Sequence, residues 1–342
     1  MKISFKNDYS EGCHPKILQQ LVETNLISQA GYGLDDYTEE AINLIKKEFQ
    51  CPEAQIYLVS GGTQANLISI SAILRPHQSV IASEYGHIAT NEAGAIEATG
   101  HKVNTAYSTD GKLTPEACKD VLALLTNVPH VVQPKLVYIS NTTELGTHYS
   151  LKELESLSQF TRQQGMYLFM DGARLAQALA IEDSDILPAD IARLCDAFYI
   201  GATKNGGLLG EAIVITNKDL QEDFGFYIKQ KGAMLAKGRL LGIQFATLLK
   251  NELYIKLAKH ANAQAKKLKI ALEEKGVCFL TNSYSNQIFP ILPYTWIDEL
   301  EKEFDFHIWK SIDEKHAAIR LITSWATTDE NVNSLVTKIK TL

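Results

Sequence analysis

No apolar run in this sequence approaches the ~18 residues that would mark a membrane-spanning helix. Its opening, MKISFKNDYSEG, has no apolar core of signal-peptide length. Its five cysteines, Cys13, Cys51, Cys118, Cys195 and Cys278, are odd in number and scattered, and no two form a CxxC pair. That pattern argues against a disulfide framework and predicts reduced, buried thiols in a cytoplasmic protein. Basic residues are the minority: 33 Lys and Arg stand against 40 Asp and Glu, a formal charge of −7. A nucleic-acid surface is therefore not expected, nor is a membrane partner. No HExxH, zinc-type Cys/His cluster or EF-hand loop occurs, so no metal is expected. Internal repeats, low-complexity tracts and charged tails are missing too. What is present is 342 residues, 45% hydrophobic and 21% charged. That composition suits an ordinary globular protein with ample core, in two domains or one large and one small.

From about residue 56 to 216 short apolar, β-favouring runs alternate with helical patterns. The strands end near Val59, Ala82, Thr105, Ser140, Asp171, Gly201 and Thr216. The helices include 67–74, 91–99, a segment from 113 led by Thr114-Pro115, 151–164 and 186–194. Before them, 15–25 reads as an amphipathic helix with Ile17, Leu18, Leu21 and Val22 on one face. Thr38 reads as the N-cap of a helix over 39–49. The alternation predicts an α/β fold, a mostly parallel sheet covered by helices on both faces. After 216 the pattern changes. A long helix over 253–275, strands near 278–280, 287–291 and 316–322, and helices near 295–304 and 329–341 predict a smaller α+β C-terminal domain. We set the large domain at 15–245 and the small one at 246–342, joined by the N-terminal segment 1–14.

In parallel sheets ligands sit beyond the carboxyl ends of the strands. Four chemically capable residues, His87, Asn141, Asp171 and Lys204, fall at such ends. The run Phe198-Tyr-Ile-Gly-Ala-Thr-Lys204 closes a strand on a single amine, and Tyr167-Leu-Phe-Met-Asp171 closes the preceding strand on an acid. Side by side, an amine that can form a Schiff base and a carboxylate that can keep a pyridinium nitrogen protonated make the pair a pyridoxal phosphate (PLP) site needs. The turn Ser60-Gly-Gly-Thr-Gln-Ala-Asn66, between a strand and a helix, can offer backbone N–H groups to an anion. It is neither a Walker loop nor GxGxxG, because no Gly-Lys-Ser/Thr follows it.

These residues carry a resemblance. In order, Asn7-Asp8, Tyr32-Gly33 with Asp35-Asp36, Gly62-Thr63-Gln64-Ala65-Asn66, His87 with Glu92-Ala-Gly94, Asn141-Thr142, Asp171-Gly-Ala-Arg174, Lys204 and Arg320-Leu-Ile-Thr323 resemble the threonine aldolase branch of the β-eliminating lyase family, PLP enzymes of fold type I. The resemblance implies cleavage of a β-hydroxy-α-amino acid to glycine and an aldehyde. It implies PLP as cofactor, an amino-acid substrate, and a homodimer or homotetramer with sites at the dimer interface. By position, Lys204 resembles the Schiff-base lysine and Thr203 a phosphate contact. Asp171 resembles the partner of the pyridine nitrogen, Gly62 and Thr63 the phosphate cradle, and His87 the imidazole stacked on the ring and candidate base. Asn141 is expected at the cofactor. Arg174 and Arg320 resemble the substrate-carboxylate clamp, Arg174 also touching the cofactor, with Asn7 and Tyr32 near the substrate. The stretch 229–239 is expected to reach a neighbouring subunit's site.

The chain also departs from the pattern. Asn7 stands where serine is usual, and Thr143 where the aldolases commonly have a histidine near the substrate hydroxyl. The sequence leaves open two alternatives: a β-eliminating lyase or aminotransferase acting on another amino acid, and a non-catalytic PLP-binding protein.

Overall fold

The computed structural model describes residues 2–342. Its main sheet has seven strands: β1 (Gln55–Val59), β2 (Gln78–Ser83), β3 (Val103–Ala106), β4 (Gln133–Ser140), β5 (Tyr167–Asp171), β6 (Ala197–Gly201) and β7 (Glu211–Ile215). Their spatial order is β1-β7-β6-β5-β4-β2-β3. All neighbours are parallel except at β7, which runs against both β1 and β6. The connection 202–210 is too short to hold a crossover helix, so β7 can only return antiparallel.

The sheet is mostly parallel and lies between two apolar layers. Ile81, Val137, Ile139, Leu168, Met170, Phe198, Ile200 and Val214 face one layer. Their immediate neighbours Val80, Ala82, Leu136, Tyr138, Phe169, Tyr199 and Ile213 face the other. Successive side chains of a strand point to opposite faces, so burial of both faces requires unbroken apolar runs, which the sequence supplies.

A third cluster lies toward the C-terminus. The helix Leu253–Glu274 serves two cores: Leu253, Tyr254, Leu257 and Ala258 enter the first layer, and Ala265, Leu268 and Leu272 enter the third cluster with Phe5, Phe304 and Leu335. There β8 (Gln287–Ile288), β9 (Ile291–Pro293) and β10 (His307–Ser311) each pair antiparallel with β11 (His316–Ile322). The N-terminus returns to this part of the chain, where Ile3–Ser4 pairs in parallel with Phe304–Asp305. Among the described residues no helix is long and apolar enough to cross a membrane.

Several local expectations need correction. Residues 91–99 do not form one continuous helix: a single α-turn spans His87–Thr90, positive φ at Ala93 (51°) and Gly94 (72°) breaks the segment beyond it, and only a 3-10 turn follows at Glu97–Thr99. The helix Asp36–Glu48 is capped by Asp35, not Thr38; Asp35 Oδ1 accepts the Thr38 N–H at 2.8 Å and Oδ2 the Thr38 hydroxyl at 2.9 Å. The 278–280 strand reduces to one bridge between Phe279 and Pro290, while β10 has no counterpart among the expected strands. Cys278 is exposed rather than buried. On the helix Pro15–Thr24, Ile17 is buried, but Leu18 and Val22 face outward, with Leu26 and Leu34 exposed nearby.

Candidate active site

A cavity of about 670 Å³ opens at the carboxyl edge of the main sheet. Expected residues that line it are Gly62, Thr63, His87, Asp171, Arg174, Thr203, Lys204 and Arg320. Asn7, Tyr32 and Asn141 do not. Asn7 caps its own turn, accepting the Tyr9 N–H at 3.0 Å. Tyr32 stands on the outside, half exposed, with Lys229 Nζ 4.6 Å from its ring centre. Asn141 is buried behind the site, and its Oδ1 accepts the Tyr149 N–H at 3.4 Å.

Asp171 ends β5 in register with Ser140 of β4. Its turn packs so closely on β6 that a Cβ on Gly172 would lie 1.8 Å from the Tyr199 carbonyl oxygen, so only glycine fits. The carboxylate is almost fully hydrogen-bonded. Tyr138 and Tyr199 donate their hydroxyls to Oδ2 and Oδ1, Ala173 N–H donates to Oδ1 at 3.0 Å, and Asn66 Nδ2 to Oδ2 at 3.2 Å. Burial pushes this carboxyl's pKa up, but the nearby His87 and these donors outweigh it and hold the pKa below the usual range, so Asp171 is charged. The same Asn66 amide donates to Glu92 Oε1 at 2.7 Å, and that oxygen meets His87 Nδ1 at 2.9 Å. The bond fixes the imidazole and leaves Nε2 for the cavity. Burial lowers the His87 pKa, yet Glu92, Glu144 and Asp171 together raise it.

The two arginines differ. Arg174 is spent on Asp8, with Nε to Oδ2 at 2.7 Å and Nη2 to Oδ1 at 3.0 Å, both groups buried. Asn286 Nδ2 also donates to Asp8, at 2.9 Å. Of the two arginines expected to clamp a substrate carboxylate, Arg174 thus has two of its nitrogens already holding a carboxylate of this chain. Arg320, on β11, stacks on Trp309 of β10 at 4.8 Å, and its buried Nε has no partner. Burial and the charge of Arg174 lower its pKa. A buried donor left unpaired on a charged group is costly unless a ligand completes it.

At the opposite end, the helix Gly62–Ile73 begins without a side-chain cap. Its first N–H groups are free for an anion, and a Cβ on Gly62 would press to 3.1 Å from the Tyr199 hydroxyl. A cradle at one end, a charged acid and an amine in the middle, and an orphaned guanidinium beyond them fit PLP carrying an amino acid. Several lining residues were not singled out from the sequence: Tyr9, Glu144, Glu211, His307 and Trp309. Thr143 is not at the site. Its hydroxyl bonds Thr147 Oγ1 at 2.7 Å and the Asp110 carbonyl at 3.3 Å. A larger cleft, about 1020 Å³, runs past Lys266 and Lys269. It holds none of the strand-end residues, and these lysines are engaged by Glu182 at 2.6 Å and Asn282 at 2.7 Å.

Comparison with known proteins agrees with this geometry. A family model described as beta-eliminating lyase matches residues 16–293. A low specificity L-threonine aldolase of Pseudomonas aeruginosa is 32% identical over 98% of this chain and 96% of its own length. A solved structure of Leishmania major threonine aldolase is 48% identical, covers 99% of both chains and superposes with a TM-score of 0.97. A mutant aspartate aminotransferase of Thermus thermophilus shares the fold at 15% identity, covering 100% of this chain and 92% of its own, with a TM-score of 0.74.

Proposed function

This chain belongs to the beta-eliminating lyase family, and we propose that it cleaves threonine-like β-hydroxy-α-amino acids to glycine and an aldehyde with PLP as cofactor. The unpartnered guanidinium of Arg320, facing Asp171 and Lys204 across one cavity, carries the reading. It supplies what an amino acid's carboxylate needs, in the same cavity as the anion cradle.

Lys204 supplies the amine that holds the cofactor, and Gly62, Thr63 and Thr203 hold its phosphate. Asp171 keeps a proton on the ring nitrogen; its four hydrogen bonds keep it charged for that task. When bound, PLP supplies an electron sink for the bond to be broken. Arg320 grips the substrate carboxylate, with the remaining face of Arg174 beside it, and so aligns the Cα–Cβ bond for cleavage. His87, through Nε2, accepts the β-hydroxyl proton as that bond breaks, and a proton then returns to Cα to give glycine. Because Glu92 raises the His87 pKa, this step requires a pH above that raised value.

We also propose residues 15–245 and 246–342, the latter with 1–14, as the large and small domains, and a cytoplasmic homodimer or homotetramer. Support for assembly is the uncovered apolar face of Leu18, Val22, Leu26 and Leu34. Tyr32 and Lys229 pack together on the outside of the chain, where they would serve a neighbouring subunit's cavity. The test is incubation with L-threonine, L-allo-threonine and phenylserine. Aldehyde and glycine are expected; keto acid without aldehyde would overturn the reading in favour of transamination.

A further inference from the structure

The most unusual group in the cavity is Glu211. Because β7 runs antiparallel, its first residue lies level with the last residues of its neighbours: Glu211 pairs with Val59 on one side and with Gly201 on the other. Val59 leads directly into Ser60–Thr63, and Gly201 into Thr203 and Lys204. The side chain therefore enters the cavity between the anion cradle and the lysine. It is 3% exposed, and its Oε2 has no hydrogen-bond partner. Thr203 Oγ1 already accepts the Gly210 N–H at 3.0 Å, so the Thr203 proton is free to point at the carboxyl or at a ligand.

A charged carboxylate facing a phosphate would repel it. A neutral one offers an O–H donor. We infer that Glu211 is a further cofactor-holding residue, donating a hydrogen bond from its protonated carboxyl to the phosphate of PLP, an inference that rests on the function proposed above. Its surroundings keep the proton in place. Burial, with the negative charge of Asp171, pushes the carboxyl up to about 8, against the opposing pull of Thr203, Lys204 and the Ala202 backbone. Tyr199 on β6 and Tyr254 on the helix Leu253–Glu274 also face it, and both are held neutral by burial. Glu211 is thus an acid where an anion site would ordinarily be given a base. Its donor is lost as pH rises, so the holoenzyme should release PLP more readily at alkaline pH.

The experiment is equilibrium dialysis of PLP against wild type, Glu211→Gln and Glu211→Ala, from pH 6.5 to 9.5, with folding of each apo variant checked by circular dichroism. Glutamine keeps a neutral donor, so near-wild-type affinity at pH 7 and a flatter alkaline limb are expected. Alanine should weaken binding about 10- to 100-fold at pH 7, the range for a hydrogen bond to a charged group. Affinity unchanged in Glu211→Ala, or weakened equally in Glu211→Gln, would overturn the proposal. Failure of the wild type to bind PLP would instead sink the function proposed above.

Discussion

On the main-sheet side of the cavity Asp171 receives hydrogen bonds from Tyr138, Tyr199, Ala173 and Asn66, and Arg174 is matched by Asp8. On the side of the small sheet Arg320 is held over Trp309 with its buried Nε unmatched. The two sides differ in what completes them. The first is finished by the chain itself, so its charges are fixed before any ligand arrives and need little reorganisation during reaction. The second leaves a buried donor open, which on the proposed function a ligand's carboxylate completes. Removing a residue from the first should cost the fold or the chemistry, and from the second, binding.

The largest effect is expected at Lys204. Lys204→Ala removes the amine proposed to hold the cofactor, so the purified protein should lose its visible absorption band and turnover should fall to background. A variant retaining both would break the assignment of the main-sheet side. Next comes the contrast between the arginines. Arg174→Ala strands the buried Asp8 charge and should destabilise the protein by about 3–5 kcal/mol in denaturant titration. Arg320→Ala strands nothing buried. It should leave stability nearly unchanged and raise KM for L-threonine about 10- to 100-fold, the range for a charge-assisted hydrogen bond. Equal losses of stability in both variants would erase the distinction between the two sides.

A smaller effect is expected outside the cavity. Val22→Glu combined with Leu26→Glu should shift the species seen by analytical ultracentrifugation toward the monomer, since both side chains are exposed on the single chain (77% and 95%). An unchanged sedimentation coefficient would remove this face from the assembly. The smallest is a displacement along the pH axis. With the proposed base, kcat falls as pH drops through the His87 pKa, which Glu92 raises. Glu92→Gln removes the charged partner, so the acid limb should move to lower pH; a limb that stays put would exclude His87 as the base.

Much of the main sheet was legible because its signals are local. A strand buried on both faces must be apolar throughout; Tyr167–Asp171 ends on its acid, and Ala197–Gly201 leads through a short turn to Lys204. The cradle was legible for the same reason: Ser60–Thr63 joins a strand to a helix within a few residues. The failures arise from interactions that sequence spacing does not encode. Residues 91–99 are helix-compatible one by one, yet Ala93 and Gly94 adopt left-handed φ, and Glu92 beside them bonds both His87 and Asn66. Asp35 displaced Thr38 as cap because both of its oxygens reach Thr38. The apolar stripe at Leu18 and Val22 reads as core from its spacing, and on the single chain it is surface.

The sequence by itself determined that the sheet is mostly parallel and that Asp171, Lys204 and His87 lie at its carboxyl edge, because burial pattern and turn chemistry act over a few residues. Only the tertiary structure decided which charges are spent and which are free. Asp8 meets Arg174 across 166 positions of chain, and Glu211 reaches the cradle only because β7 runs backwards between β1 and β6. Such pairings depend on which strands become neighbours, and that is settled by packing the whole chain at once.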